Sequence, residues 1–548
     1  MGFLGGSPYG GAAGDTVDVM SRVIALVTSA LVAAGLLVTA APAQAASGWS
    51  APEMVSAPGL PATRPSTWLG RDGHGSLAMQ VGFNQIGGNY SVQVADRRPD
   101  GSWDAPIVLS NAGIDAYAPI VAGNEEGLVC AAWSQEVGAS RQARAACKDG
   151  AAAWGASAAV DIVFGNIADM DMAVAPDGRV ALVVLGYSEN FQAQRVSVST
   201  FENGVWSAPK VLVSGNAQGA ALLSGVEGEA LSDSTLLVTW HGSGGIFSSY
   251  LDPNSILWTL GDARSATNPL AVTLVASGDT ATLLWTQRDV ANNVTLEGEQ
   301  WRDSAWGMQS TLQSFAQQAP IFSATAAPAG VVAVTWAETI PGGYTIRALV
   351  APSLAVEPVG GYVVNSTPPL TGPVIAPDGQ GNFFVAYQAG RRETQSVRVT
   401  HFSIVDGAID AGTSEEVSPA SDASVDPTSL LHAGSTLLVT WSQGMAGTES
   451  IMTSSVNDPA PPLRVRAKSK KRGQITVTWR APAGGAGGYI VQVRQGNGEW
   501  TTAGKPRGTA TSWTWKRGQA RTAYDVRMAS TRGSVIGPWS PTVSVTTK

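Results

Sequence analysis

The sequence predicts an all-β chain whose larger part is an eight-bladed β-propeller, and three observations carry that expectation. An apolar run ending in an aromatic residue recurs eight times, reaching Phe83, Trp133, Tyr187, Trp240, Trp285, Trp336, Tyr387 and Trp441 at intervals of 50, 54, 53, 45, 51, 51 and 54 residues. A second phrase, W-S-A-P or a near relative, alternates with those runs: GWSAPEMVSA from Gly48, ahead of the first, then GSWDAPIVLS from Gly101, GVWSAPKVLVS from Gly204 and the looser AWGMQSTLQS from Ala305. Finally, 63 Gly and 31 Pro in 548 residues, with only 14% charged side chains, suit many short strands joined by turns. A phrase returning at so steady a period marks a supersecondary unit that buries its apolar face only against the next copy.

Each unit holds about four short strands, as a propeller blade does. Runs such as LLVTW (Leu437–Trp441) lack in/out alternation, so both faces of that strand must be buried. A strand inside a blade meets this condition, because neighbouring blades cover both faces of its sheet. The terminal aromatic then fills the wedge between blades, where a large ring buries the most area. A turn follows, as in WSQEVG and WSQGMAG, and then a polar-alternating strand such as GYTIRALV (Gly343–Val350) or QSVRVTHFSI (Gln395–Ile404). PDG turns precede the run in VAPDGRV and IAPDGQG. A tandem sandwich needs more residues per unit than this spacing leaves, and a β-helix needs fewer. The first W-S-A-P phrase, at Trp49, precedes the first apolar run and none follows Trp441. The N-terminal strand is therefore expected to complete the last blade, leaving no free sheet edge over residues 47–457. Seven blades is the alternative count, because the stretch around Tyr362 has lost the phrase.

Residues 1–45 read as a secretory signal peptide. Arg22 precedes VIALVTSALVAAGLLVTAA, and Ala43-Gln44-Ala45 supplies a small-residue cleavage site. A membrane anchor is the alternative, since the apolar run is nearly long enough to span. Export places Cys130 and Cys147 in an oxidising compartment. They flank a turn near Gly138 at nearly equal separations, so one cross-strand disulfide is expected.

After Asp458 the text changes to PAPPLRVRA, QITVTW, GYIVQVRQ, TATSWTW, TAYDVRMAS and GPWSPTVSV. Residues 459–548 resemble a fibronectin type III domain: Trp479 matches the family's core tryptophan, Tyr489 the aromatic of its third strand and Tyr524 its tyrosine corner. The resemblance implies a seven-strand sandwich used for spacing or adhesion. Charge divides at the same boundary. Six Lys and ten Arg stand against Glu499 and Asp525, a net of +14, so residues 1–458 carry −22 of the overall −8. Arg464, Arg466, Lys468, Lys470, Lys471, Arg472 and Arg480 are the expected contact for a cell-wall or matrix polyanion. The plainer reading is that these side chains solvate a small domain, and a third is attraction to the chain's own acidic part. No recognition motif accompanies the charge, so no specific nucleic-acid partner is expected.

In a propeller, functional groups converge at the central channel and its rim. The starts of the innermost strands give the candidate ligand-binding residues: Asp115 and Tyr117 (GIDAYAP), Asp169 and Asp171 (IADMDM), Asn268 (ATNPL), Gln318 (QQAP) and Asp426 (VDPTS). Acids and amides there suit sugar hydroxyls or Ca²⁺. No Ca²⁺ motif is present, however, and no cofactor or metal is expected. Asp169 or Asp171 as half of a carboxylate pair is the one catalytic suggestion. Against it stands the use of Asp and Asn for turns and local hydrogen bonds. His241 and His401 sit at strand ends and read as satisfied structural residues. No Ser-His-Asp order, zinc spacing, P-loop or dinucleotide fingerprint is present.

The propeller phrases over Ser47–Val456 resemble those of secreted bacterial sialidase-like (BNR, Asp-box-like) repeat proteins. The Asp-box Ser-x-Asp-x-Gly-x-x-Trp is only echoed, in PDGSW (Pro99–Trp103), and the family's Arg-Ile-Pro segment is absent. Nothing in the sequence marks any three of Arg64, Arg71, Arg97, Arg98, Arg195 and Arg392 as convergent. The expectation is a secreted, wall- or matrix-associated monomer that recognises an extracellular glycan or surface protein, with the basic domain as tether. A glycosidase or polysaccharide lyase is the alternative, because a propeller with a fibronectin module resembles the layout of secreted polysaccharide-degrading enzymes. Pure scaffolding is a third.

Overall fold

The computed structural model describes residues 48–82, 89–162, 165–188, 193–216, 223–261, 269–288, 291, 293–315, 320–340, 343–366, 372–390, 394–421, 424–445, 447–482, 485–533 and 535–548. The predicted signal segment, Phe83, Asn268 and Gln318 lie outside them. Among the described residues the only helical element is a single 3₁₀ turn, Pro328–Gly330. The protein is all-β.

Eight antiparallel sheets of four or five strands follow one another along the described chain. The first strands of sheets 1 to 8 are Ala62–Leu69, Ala116–Gly123, Gly165–Val174, Leu223–Ala230, Ala271–Ser277, Phe322–Ala327, Val374–Pro377 and Ser424–Ala433. Each packs against the first strand of the next sheet, and that of sheet 8 packs against that of sheet 1, so the circuit is closed. This is a propeller-like arrangement. The apolar runs form the second strands, and those at Gly75–Val81, Leu236–Gly242 and Phe383–Ala389 are buried at every position. Cover on both faces explains why they do not alternate. Trp133, Trp285, Tyr387 and Trp441 are at most 1% exposed. Trp285 packs with Leu237 and Ile246 of sheet 4, and Trp240 with Val183 and Leu185 of sheet 3, so these rings fill the gaps between sheets. Cys130 and Cys147 lie directly opposite each other on Leu128–Val137 and Ser140–Asp149 and form the expected disulfide.

Closure uses the N-terminal segment. Glu53–Met54 pairs antiparallel with Ser450–Asn457, the third strand of sheet 8. Bonds from Ser50 N to Ser455 O (2.8 Å), Val55 N to Ile451 O (2.9 Å) and Ala62 N to Glu449 O (2.8 Å) extend the seam. Trp49 is buried at its start, and its indole N–H donates to Glu415 Oε2 at 3.1 Å.

Beyond Asp458 stand two further sheets. One holds Leu463–Lys468, Ile475–Arg480 and Ser512–Trp515; the other is built on Gly488–Gln495 and Ala523–Arg532. Trp479, Tyr489, Val491, Val526 and Met528 make their shared core. The Tyr524 hydroxyl accepts the Gln519 N–H at 2.9 Å, pinning the chain upstream of its own strand. These sheets do not hang free of the ring. Val535 is fully buried in the same core as Trp49, Val417, Val425 and Trp441. Gln380 Nε2 donates to Ile536 O at 3.1 Å. Gly533, at φ 60°, leaves space that a Cβ would take from the Glu415 carboxylate, 2.2 Å away.

The C-terminal module thus helps hold the closure. Val535→Asp puts a carboxylate with no partner into that core and should cost about 2–5 kcal/mol in equilibrium unfolding of the full chain. Thr478→Asp, at an exposed position of the same module, should cost almost nothing. Equal unfolding midpoints for the two variants would show the module to be an independent appendage.

Candidate functional site

The ring is not uniform at the end where the first strands begin. Five of those strands open with a β-bulge: sheet 1 between Thr63 and Ser66, sheet 2 between Tyr117 and Ile120, sheet 3 between Ile167 and Asp169, sheet 4 between Leu223 and Gly225, and sheet 8 between Pro427 and Ser429. Sheets 5, 6 and 7 pair there without a shift. Because sheet 8 adjoins sheet 1, the five bulges form one arc. Proline is a cause in three of them: Pro65, Pro119 and Pro427 have no N–H for the ladder. Bulges re-aim side chains at the rims of closed sheets. Here Arg64, Ala168, Ser224 and Thr428 are thereby turned out to solvent. Arg64 (φ 51°) and Ala118 (φ 48°) adopt left-handed backbone, a cost of order 1 kcal/mol each that the surrounding fold must sustain.

Within that arc a cleft of about 660 Å³ spans sheets 1 to 3. Its aromatic wall is the Tyr90–Tyr117 pair, with ring centroids 5.5 Å apart. The Arg141 guanidinium lies 4.3 Å over the Tyr117 ring, and Arg64, Gln80, Ser134 and Asp169 also line the cleft. The backbone is fixed from behind: Tyr90 N donates to Asp115 Oδ1 at 2.7 Å, and Glu136 N to Asp115 O at 3.0 Å. The Tyr117 hydroxyl donates to Glu136 Oε1 at 3.1 Å. Burial, with the Glu136 and Asp115 charges, pushes the Tyr117 phenol well above its ordinary value. It therefore keeps its proton at neutral pH. Neither Arg64 nor Arg141 has a carboxylate within ion-pair distance among the described residues. Ser134 Oγ is buried without a partner among them.

Deeper in the channel, the acids act on the strand edges. Asp169 accepts Met170 N and Val226 N, both at 3.0 Å, and Asp171 accepts Met172 N and Gly228 N, both at 2.8 Å. Each carboxylate thus joins the first strand of sheet 3 to that of sheet 4. Ser66 does the same from sheet 1, its Oγ accepting Val121 N at 3.0 Å. Glu227 accepts the Leu274 amide of sheet 5. Burial raises Asp169, pushes Asp171 up to about 7 and Glu229 up to about 8, and raises Glu227 well above the carboxylate range with help from Asp171 and Asp169. All four keep some exposure along the channel, so water moderates that push. His241 departs from the expectation of a satisfied residue. It is 8% exposed, its Nδ1 has no partner among the described residues, and burial pulls its imidazole down to about 4. Its ring and the Asp169 carboxylate flank Gly225, where a Cβ would meet His241 Cε1 at 2.4 Å. His401, by contrast, bonds Asp378 at 3.1 Å.

Of the candidate residues, Tyr117 and Asp169 share the cleft and Asp115 braces it. Asp171 lies deeper, between sheets 3 and 4, and Asp426 stands apart at the bulge of sheet 8. Asn268 and Gln318 are outside the described residues. Asp169 and Asp171 stand two residues apart on one strand and each already holds two backbone amides, which matches a stapling role. Among the described residues no three His, Cys, Asp or Glu side chains are arranged to hold a metal ion. Sequence reasoning missed Arg141, Tyr90 and Glu136, and left Arg64 unplaced. The repeated x-Pro of TRPS, YAPI and DPTS was the available signal for the bulges.

No known protein family matches the chain, and no curated protein does. Among solved structures, an ulvan lyase of polysaccharide lyase family PL25 is 9% identical over 68% of this chain and 96% of its own, with a TM-score of 0.41. The Dos1 propeller is 10% identical over 75% of this chain and 96% of its own, TM-score 0.40. A mutant NanB sialidase from Streptococcus pneumoniae is 10% identical over 72% of this chain and 68% of its own, TM-score 0.35.

The raised channel acids set a pH dependence. Their folded state holds protons that the unfolded chain releases near pH 4, so stability from this source is lost as pH rises from about 4 to about 8. Asp171→Asn with Glu229→Gln should flatten that slope, by on the order of 1–3 kcal/mol in total, when unfolding is followed at pH 4.5 and pH 8. An unchanged slope would mean the channel acids ionise freely.

Proposed function

We propose that the chain is an exported glycan-binding protein. In this reading the eight sheets are the blades of an eight-bladed propeller, the C-terminal pair of sheets is a fibronectin type III module, and residues 1–45 are removed on export. The observation that carries the reading is the cleft at the bulged rim. It offers an aromatic pair for the apolar face of a sugar ring and two guanidinium groups without a carboxylate partner for its polar substituents. Binding is favoured over glycosidase or lyase chemistry because Asp169, the carboxylate that lines the cleft, is occupied by two backbone amides.

The test is a glycan array run beside an assay for new reducing ends and unsaturated products from each bound polysaccharide. Arg141→Ala and Tyr90→Ala should each weaken binding about 5- to 150-fold, the range expected for an aromatic or charged contact of about 1–3 kcal/mol. Product formation that disappears in Asp169→Asn would replace binding with catalysis.

The basic C-terminal residues support a second contact, to a wall polyanion. Arg464, Arg466, Lys468, Lys470, Lys471, Arg472 and Arg480 are all exposed, and none has an ion-pair partner among the described residues. Retention of the full chain on purified cell wall should fall steeply with salt, and further when Lys470, Lys471 and Arg472 become Ala. Salt-independent retention would end this part of the reading.

A further inference from the structure

The opposite end of the ring carries a cleft of equal size, about 670 Å³, between sheets 1 and 2. It opens where their first strands finish, between the turn Gly70–His74 and the matching turn Asn124–Gly127, with Arg97, Arg98 and Lys148 on its walls. We propose that this cleft is a second saccharide site, separate from the mouth, that takes an uncharged sugar ring on the Trp68 indole.

Three features select that ligand class. The first is charge. Lys148 Nζ pairs with Asp96 at 2.8 Å, Arg71 with Glu125 at 3.5 Å and His74 with Asp72 at 2.5 Å. Arg98 pairs with Asp104 as well. Arg97 is buried and spends its two terminal nitrogens on Gly73 O (2.6 Å) and Ser455 Oγ (2.9 Å). The pairs cancel most of the charge on the walls, and Arg97, the guanidinium there without a carboxylate partner, is buried, whereas Arg64 at the mouth is exposed and unpaired. The second is polarity. An apolar ligand would strip water from these charges and return no hydrogen bonds, whereas a polyol replaces that water with hydroxyls.

The third is the floor. Trp68 is half-buried at the end of its strand, and its indole N–H has no acceptor among the described residues. Its ring lies against Gly123, where a Cβ would stand 2.7 Å from the indole, and beside Gly70, where one would stand 3.0 Å from Cη2. Neither glycine has a left-handed backbone, so the space itself is what the small residue provides. A flat indole with a free N–H, ringed by carboxylates and guanidiniums with spare lone pairs and N–H groups, suits the C–H face and hydroxyl edge of one sugar.

The experiment uses the full chain carrying Arg141→Ala, which weakens the mouth at least about 5-fold. That protein should still bind uncharged oligosaccharides on an array, with affinity measured by calorimetry. Trp68→Phe should weaken this binding at least 10-fold. Because Trp68 also packs between sheets, a rim variant, Asp104→Ala with Glu125→Ala, keeps the indole and should produce a loss of similar size. No uncharged oligosaccharide bound by the Arg141→Ala protein would overturn the proposal, as would binding untouched by both further changes. Loss of the mouth's own ligand in Arg141→Ala reports on the other site alone, so the two readings fail separately.

Discussion

The seam between Glu53–Met54 and Ser450–Asn457 is the constraint on which the rest of the molecule depends. A row of stacked sheets leaves one face of its first sheet and one face of its last open to water. Closing the row covers both and gives every sheet a neighbour on each face, which is what the non-alternating second strands require. In an otherwise unfolded chain, bringing together positions as distant as Ser50 and Ser455 costs about 5 kcal/mol in loop entropy, beyond a constant. The completed sheets reduce that cost by presenting the ends to each other. Trp49, buried with Trp441, Val425 and Val535, supplies apolar burial at the same place.

A closed ring is nearly symmetric, and function needs that symmetry broken. The five bulges break it at one end, over a continuous arc from sheet 8 to sheet 4. They do so with little change in sequence: a proline in TRPS, YAPI and DPTS interrupts the ladder, and in the first and last of these Arg64 and Thr428 turn outward. Further down the channel, Asp169, Asp171, Ser66 and Glu227 occupy the amides that the innermost edges would leave bare. The rim thereby departs from the regular ladder while these inner backbone amides keep acceptors. The same acids crowd charge into a narrow space, and their raised proton affinity is the electrostatic consequence.

Much of this was legible in the sequence because it was periodic or local. The eight aromatics, the hairpin around Gly138 that sets Cys130 against Cys147, and the early W-S-A-P phrase each state a spacing that geometry can use. Tyr117 and Asp169 were placed near the rim by register alone. Arg141 was not, because it reaches the cleft from a third strand, over the ring of a residue on a first strand, and no period links the two. Nor was the docking of the C-terminal module. It depends on Val535, Gly533 and Gln380, single positions whose partners lie far away in sequence. His241 read as satisfied because a strand-end histidine usually is; only the surroundings of Gly225 show its ring enclosed without an acceptor.

The order of the strands also carries a temporal consequence. The strand that seals the ring precedes every other strand of the eight sheets, its partner strand follows them all, and the Val535 hairpin that backs the joint comes later still. An emerging chain can therefore stack sheet upon sheet but cannot close the circuit until Ser450–Asn457 has left the ribosome. Until then Trp49 has no pocket, and the arc of sheets stays open.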